Sequence, residues 1–175
     1  MLAKKKYLTK ILVVFIIFIQ TVLIYQMPAY SQLLSWPESI VYDSLYNRYL
    51  VSNYGTGSII QIDQSGNQRP FVINMNATQG LEIVDSIIYV GCDSTVRGFQ
   101  LATGEQVMNL WVENVNNLND VTSDDEGCLY ITDVYGTKII KVYPKTQTYT
   151  IFVQGNGILR PKGIVFDGVN ERLLV

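Results

Sequence analysis

The chain of 175 residues contains no histidine. A Ser-His-Asp mechanism is therefore excluded within it, because Ser52, Ser58 and Ser94 have no imidazole to activate them. Only two cysteines occur, Cys92 and Cys128, which suits an oxidising compartment without requiring a disulfide. Basic charge is also scarce where it would matter. Lys4, Lys5, Lys6 and Lys10 crowd the N-terminus, and beyond residue 31 the acidic side chains outnumber Lys and Arg. A nucleic-acid partner needs a basic footprint, and none is present. Gly55-Thr56-Gly57 and Gly155-Asn156-Gly157 lie between strand patterns with no helix behind them, so neither is a phosphate loop.

What is there begins with an apolar run. The four lysines precede Ile11 to Ile19, and the run resumes after Gln20 and Thr21 through Val22, Leu23, Ile24 and Tyr25 to small residues at Ala29 and Ser31. That order reads as a signal peptide over residues 1–31, cleaved after Ser31. It also reads as an uncleaved membrane anchor through residues 8–25, since a helix of about 20 residues spans the hydrocarbon. In either case an N-terminal hydrophobic helix is expected. The remainder is expected outside the cytoplasm, whether secreted, periplasmic or membrane-anchored, because the lysines stay inside.

Residues 32–175 repeat themselves. Residues 49–62 (YLVSNYGTGSIIQI) and 129–142 (LYITDVYGTKIIKV) align at an offset of 80 without a gap. A third copy lies between them at Ile88-Tyr89-Val90, and a fourth starts at Lys162-Gly163-Ile164. Each unit of about forty residues holds four short β-branched or aromatic runs separated by Asp, Asn and Gly turns, the pattern of hairpin-joined antiparallel strands. Four such strands per repeat make a propeller blade. The expected fold is all-β, a partial β-propeller of about three and a half four-stranded antiparallel blades at residues 37–73, 79–113, 118–154 and 160–175. A β-sandwich uses similar strands but does not require the same residue classes to recur at a fixed offset.

The elements P-x-x-I-V-x-D at Pro37 to Asp43 and L-Y-I-T-D at Leu129 to Asp133 resemble blades of the SMP-30/gluconolactonase/LRE-like group and of related NHL-type six-bladed propellers. The resemblance covers residues 37–175 and speaks to fold more than to activity. It implies that the first strand of each blade lines a central channel, with Glu38, Gln79, Asn119 and Lys162 at the loop positions leading into it. Gluconolactonase-like enzymes hold a divalent cation in that channel. Glu38 and Asn119 match a Glu and an Asn of such a site, and Gln79 and Lys162 line the channel beside them. The implied cofactor is Ca²⁺ or another divalent cation that prefers oxygen ligands. Lys162 places a positive charge in the same ring. Six or so blades close a ring in known members, so this chain is expected to be a fragment and catalytically inert by itself.

Two functions follow. One is an extracytoplasmic binding or scaffold propeller, with no residue pattern selecting a small-molecule over a protein ligand. The other is a divalent-metal-dependent lactonase in a full-length parent. The acidic stretch Asp124 to Gly127 reads as a tight hairpin turn rather than a chelating loop, since alternating oxygen ligands are lacking. Cys92 and Cys128 fall at opposite ends of neighbouring strands and are expected to be free thiols.

Overall fold

In the computed structural model, residues 32–175 are described. Fourteen strands form four antiparallel sheets, each running in chain order. The first sheet holds β1 (Pro37–Asp43), β2 (Arg48–Asn53), β3 (Ser58–Asp63) and β4 (Gln68–Val72). The second holds β5 (Thr78–Val84), β6 (Ile87–Cys92), β7 (Thr95–Gln100) and β8 (Gln106–Trp111). The third holds β9 (Leu118–Ser123), β10 (Leu129–Asp133), β11 (Lys138–Tyr143) and β12 (Thr148–Gln154). The fourth has only β13 (Val165–Asp167) and β14 (Arg172–Leu174). The expected all-β class and blade-like sheets are therefore present, three complete and one of two strands.

No sheet has a core of its own; the apolar clusters lie between consecutive blades. Leu50 and Ile59 of the first blade meet Leu81, Ile88, Val90 and Phe99 of the second. Tyr89, Val96 and Met108 of the second meet Val121, Ile131 and Ile140 of the third. Tyr130 and Ile139 of the third meet Ile164. Side chains alternate across a strand, so a strand apolar at every position buries one set against the preceding blade and the other against the following one. Each fully buried Leu, Ile or Val contributes about 1.5–3 kcal/mol in this way.

The turns repeat as regularly as the strands. A left-handed residue precedes the second strand at Asn47, Asp85, Gly127 and Glu171, and another precedes the third at Gly57, Asp93 and Thr137. Gly66, Gly104 and Gln147 hold the corresponding place before the fourth strand. Asn, Asp and Gly adopt this conformation at least cost, which explains the turn composition seen in the sequence. At Gly57 the demand is double: φ is +57°, and a Cβ would lie 1.6 Å from the Met75 carbonyl oxygen.

The expected N-terminal hydrophobic helix falls on residues outside those described. Membrane anchoring through residues 8–25, and the signal peptide and secretion that went with it, fall on residues outside those described, and the reading is corrected to what the described residues show: among them no helix is long and apolar enough to cross a membrane. Those residues form strands of three to seven residues and one 3₁₀ turn at Tyr54–Thr56, so no anchor is carried into the functional reading.

Candidate functional site

First strands of neighbouring blades lie side by side. The Leu81 N–H donates to Ser39 Oγ (3.1 Å), that of Ser123 to Glu82 Oε1 (3.1 Å), that of Ile164 to Asp120 Oδ2 (2.9 Å) and that of Phe166 to Thr122 Oγ1 (3.1 Å). These contacts join β1 to β5, β5 to β9 and β9 to β13. The strand edge they share is the axial edge of a radial array.

The entrance to each first strand is built the same way. Trp36, Ala77, Asn117 and Arg160 all have positive φ, at +53°, +30°, +97° and +51°. Each stands two residues before one of the positions Glu38, Gln79, Asn119 and Lys162. The pairing of first and second strands then slips. Pro37 faces Asn53 and Ile40 faces Val51, Thr78 faces Cys92 and Leu81 faces Val90, and the third blade slips between Leu118 and Val121. Two first-strand residues oppose one on the partner, so Glu38-Ser39, Gln79-Gly80 and Asn119-Asp120 each form a β-bulge. Bulges bend a strand and re-aim its side chains, and they recur beside functional sites. The amide freed by the bulge is served from the second strand: Ser39 N–H donates to Ser52 Oγ (2.9 Å) and Asp120 N–H to Thr132 Oγ1 (3.0 Å).

Of the four expected channel residues, two come together. Buried Gln79 donates its amide to Asn117 Oδ1 and accepts the amide of Asn119. An amide chain Asn117–Gln79–Asn119 thus links the second and third blades at the axial entrance. Glu38 and Lys162 are exposed. Lys162 is held through its backbone, its carbonyl accepting from Thr132 Oγ1 at 2.7 Å. Asn117 escaped the sequence reading, although its Asn in a left-handed position is the signal that marks it.

Glu82 and Gly80 were also missed. Glu82 Oε1 accepts both the amide and the hydroxyl of Ser123, the latter at 2.6 Å. Burial raises the Glu82 carboxyl above the usual carboxylate range, and the Ser123 hydrogen bonds only partly oppose this. A Cβ at Gly80 would lie 2.6 Å from Asp120 Cα and 2.7 Å from both Asn119 O and Val121 N. Glycine there lets β5 and β9 approach closely enough for the amide chain to form.

At the end of each second strand stands Asn53, Cys92 or Asp133, all buried. Asn53 fastens the segment before β1, accepting from Ser35 N–H and donating to the Leu33 carbonyl (2.9 Å). Asp133 likewise holds the segment before β9, accepting from Asn116 N–H, and also accepts from Gly136 N–H in the turn after β10, both at 3.0 Å. Its other oxygen lies 3.7 Å from Lys138 Nζ, with both side chains nearly excluded from water. Cys92 fills the place apolarly; burial pushes its thiol up to about 12. Both cysteines are free.

A second group lies at the far end of β9. Asp124, Glu126 and Cys128 can bring one ligand atom each within 4.8 Å of one another. Asp124 and Glu126 border a cavity of about 460 Å³ with Val84, Asp85, Tyr89 and Lys145. Asp124 is already engaged: Oδ1 accepts from Glu126 N–H (3.1 Å) and Cys128 N–H (2.8 Å), and Oδ2 from Tyr130 OH (3.1 Å) and Lys141 Nζ (3.3 Å). Burial pushes the Asp124 carboxyl up, but those hydrogen bonds outweigh it and hold the group below the usual range. The cluster could coordinate a metal weakly; its mixture of thiol and carboxylate does not suit Ca²⁺.

No protein-family model matches the chain, and no curated protein matches it. Solved structures do resemble it. A catalytically inactive virginiamycin B lyase from Staphylococcus aureus, determined with quinupristin, aligns with a TM-score of 0.69 at 14% identity, over 82% of this chain and 49% of that one. A streptogramin B lyase aligns with a TM-score of 0.70 at 17% identity, over 82% and 48%. A protein of unknown function from Bacteroides thetaiotaomicron aligns with a TM-score of 0.65 at 14% identity, over 80% and 38%. At these identities the likeness is one of fold. This chain spans about half the length of the lyases it matches.

Proposed function

We propose that residues 32–175 form one side of a propeller channel with a binding or scaffold role, its axial entrance recognising a neutral polar ligand. The observation that carries this is the amide chain Asn117–Gln79–Asn119, with Gln79 and Asn119 in β-bulges and Gln79 buried. Amides offer donors and acceptors without net charge, and a few placed polar groups in a concave wall are what orient a small ligand. The inactive lyase of the same fold was determined with quinupristin, which supports ligand binding on this scaffold. That lyase was inactivated by replacing one histidine with alanine. This chain has no histidine, so the lyase reaction is not transferred to it.

A second reading keeps the SMP-30/gluconolactonase resemblance, with Glu38 and Asn119 as oxygen ligands of a divalent cation in a lactone-hydrolysing parent. It is favoured by their repeat-equivalent places at the axial entrance, and because Asn119 gives its amide to Gln79, leaving Oδ1 for a cation. The donors present fall short of the six to eight oxygens that Ca²⁺ takes.

Ligand-observed NMR with glucose and δ-gluconolactone, together with a lactone hydrolysis assay in Ca²⁺, separates the two. Binding without turnover, weakened by Asn119→Ala, is the expected result. Ca²⁺-dependent turnover abolished by Glu38→Ala would establish the lactonase instead. Absence of binding to either sugar would refute the neutral-ligand site.

A further inference from the structure

We propose that the cavity between the second and third blades, at the end of the strands away from the amide chain, binds a guanidinium cation. The preceding joint shows what the same place can hold. Asp43 pairs with Arg48 where β1 turns into β2, and Val84 pairs with Ile87 at the same place in the second blade. Leu101 and Pro144 are equivalent as well, each following the third strand of its blade. Between the first and second blades, Arg48 Nε donates to Asp43 Oδ2 (2.9 Å) and Nη1 to Gln61 Oε1 (2.6 Å), while Nη2 crosses the joint to the Leu101 carbonyl. The guanidinium also lies over the rings of Tyr46 and Phe71, 5.0 Å and 4.5 Å from their centroids. One joint further on, Val84 and Ile87 stand where Asp43 and Arg48 stood, so the chain supplies no guanidinium of its own. These two residues, with Pro144, line the cavity of about 460 Å³.

The other walls suit the same cation. Tyr89 lines the cavity and is 5% exposed, and its hydroxyl has no hydrogen-bond partner among the described residues. Burial and the Asp85 carboxylate raise that hydroxyl above the usual phenol range. It therefore stays neutral, its oxygen able to accept from an N–H donor while its ring offers a π face. The rim carries three exposed carboxylates, Asp85, Asp125 and Glu126, against one ammonium, Lys145. Asp124 is already paired with Lys141 at 3.3 Å and is not needed. Acceptors arranged around an aromatic face, at a mouth of net negative charge, match a flat array of N–H donors better than a compact ammonium. The volume lies within the range of small-ligand cavities. Both blades that form the cavity are complete four-stranded sheets.

Ligand-observed NMR of the full chain with n-butylguanidine and n-butylamine tests the proposal. Butylguanidine should bind, and more tightly than butylamine. The tripeptide Gly-Arg-Gly separates the sources of the group: tighter binding of the peptide assigns an arginine side chain, and tighter binding of butylguanidine a free small cation. Val84→Asp with Ile87→Arg copies the Asp43–Arg48 pair and fills the cavity from within. It should abolish butylguanidine binding while circular dichroism remains that of β-sheet. Tyr89→Phe should weaken binding by about fivefold and Glu126→Gln by about two- to fivefold, so the test stands even if the double variant fails to fold. Absence of butylguanidine binding, equal binding of butylamine, or binding that survives in a folded double variant overturns the proposal. Asn119→Ala lies at the opposite end of the strands and should leave this binding unchanged, so failure here and failure of the axial site are distinguishable.

Discussion

Replacing Gly80 with alanine tests the structural basis of the axial site. The added Cβ would stand 2.6 Å from Asp120 Cα and 2.7 Å from Asn119 O and Val121 N. All three are backbone atoms of β9, so no side-chain rotation relieves the clash and the second and third blades must part. Overpacking of this kind costs about 1–3 kcal/mol. Parting the blades also weakens the bonds that cross the joint, the amide of Asn119 to Gln79 and the Ser123 contacts to Glu82, each net about 1 kcal/mol. A total loss of about 3–5 kcal/mol follows. With a urea m-value of about 1–3 kcal/mol/M, the midpoint of unfolding should fall by roughly 2 M. Gly66→Ala is the control: nothing lies within 4 Å of its Cβ, but φ is +82°, so only the left-handed strain of about 1–2 kcal/mol is expected. If Gly80→Ala shifts the midpoint no more than Gly66→Ala, the blades do not approach as described and the amide chain loses its support.

Glu82 should make stability depend on pH. Its carboxyl lies higher in the folded protein than in the unfolded chain, so its contribution is fully present below the unfolded value of about 4.3 and is lost as pH rises through the folded value. Denaturant titrations should show wild type losing ground to Glu82→Gln over that window, and a constant difference would contradict the burial of this group. Asp133→Ala strands Lys138 without its partner and should cost about 3–5 kcal/mol. Asp133→Asn with Lys138→Ser, which copies the Asn53 and Ser58 pair of the first blade, should recover much of that loss in thermal melts; no recovery would mean the two sites are not equivalent. In alkylation at pH 8 followed by mass spectrometry, Cys128 should react well before Cys92, whose thiol is buried and raised to about 12; equal rates would show that the second blade opens readily.

The repeat was legible because strand alternation and turn chemistry are local. Ile59-Ile60 and Ile139-Ile140 recur at an offset of 80, and turn residues such as Asn47, Asp85 and Gly66 adopt left-handed conformations. Each depends on a few neighbouring residues, so a linear reading finds it. The same alignment put Glu38, Gln79, Asn119 and Lys162 at equivalent repeat positions, each two residues after a left-handed residue. The acidic turn at Asp124 was read correctly as a turn, since its carboxylate is spent on Glu126 and Cys128 amides within the hairpin.

The axial site was different, because its parts come from blades about forty residues apart. Gln79 looked like one ring position among four; that it lies between Asn117 and Asn119 depends on how β5 leans on β9. Gly80 gave no sign of its role, because the atoms it admits belong to residues 119–121. Glu82 read as a charge on an apolar strand until the next blade covered it and supplied Ser123. The strands, the turns and the period of the repeat could be read along the chain, since these follow from short-range backbone preference and side-chain alternation. Which polar groups meet at the axis and which carboxyl is raised depend instead on contacts between blades, and no local pattern encodes those.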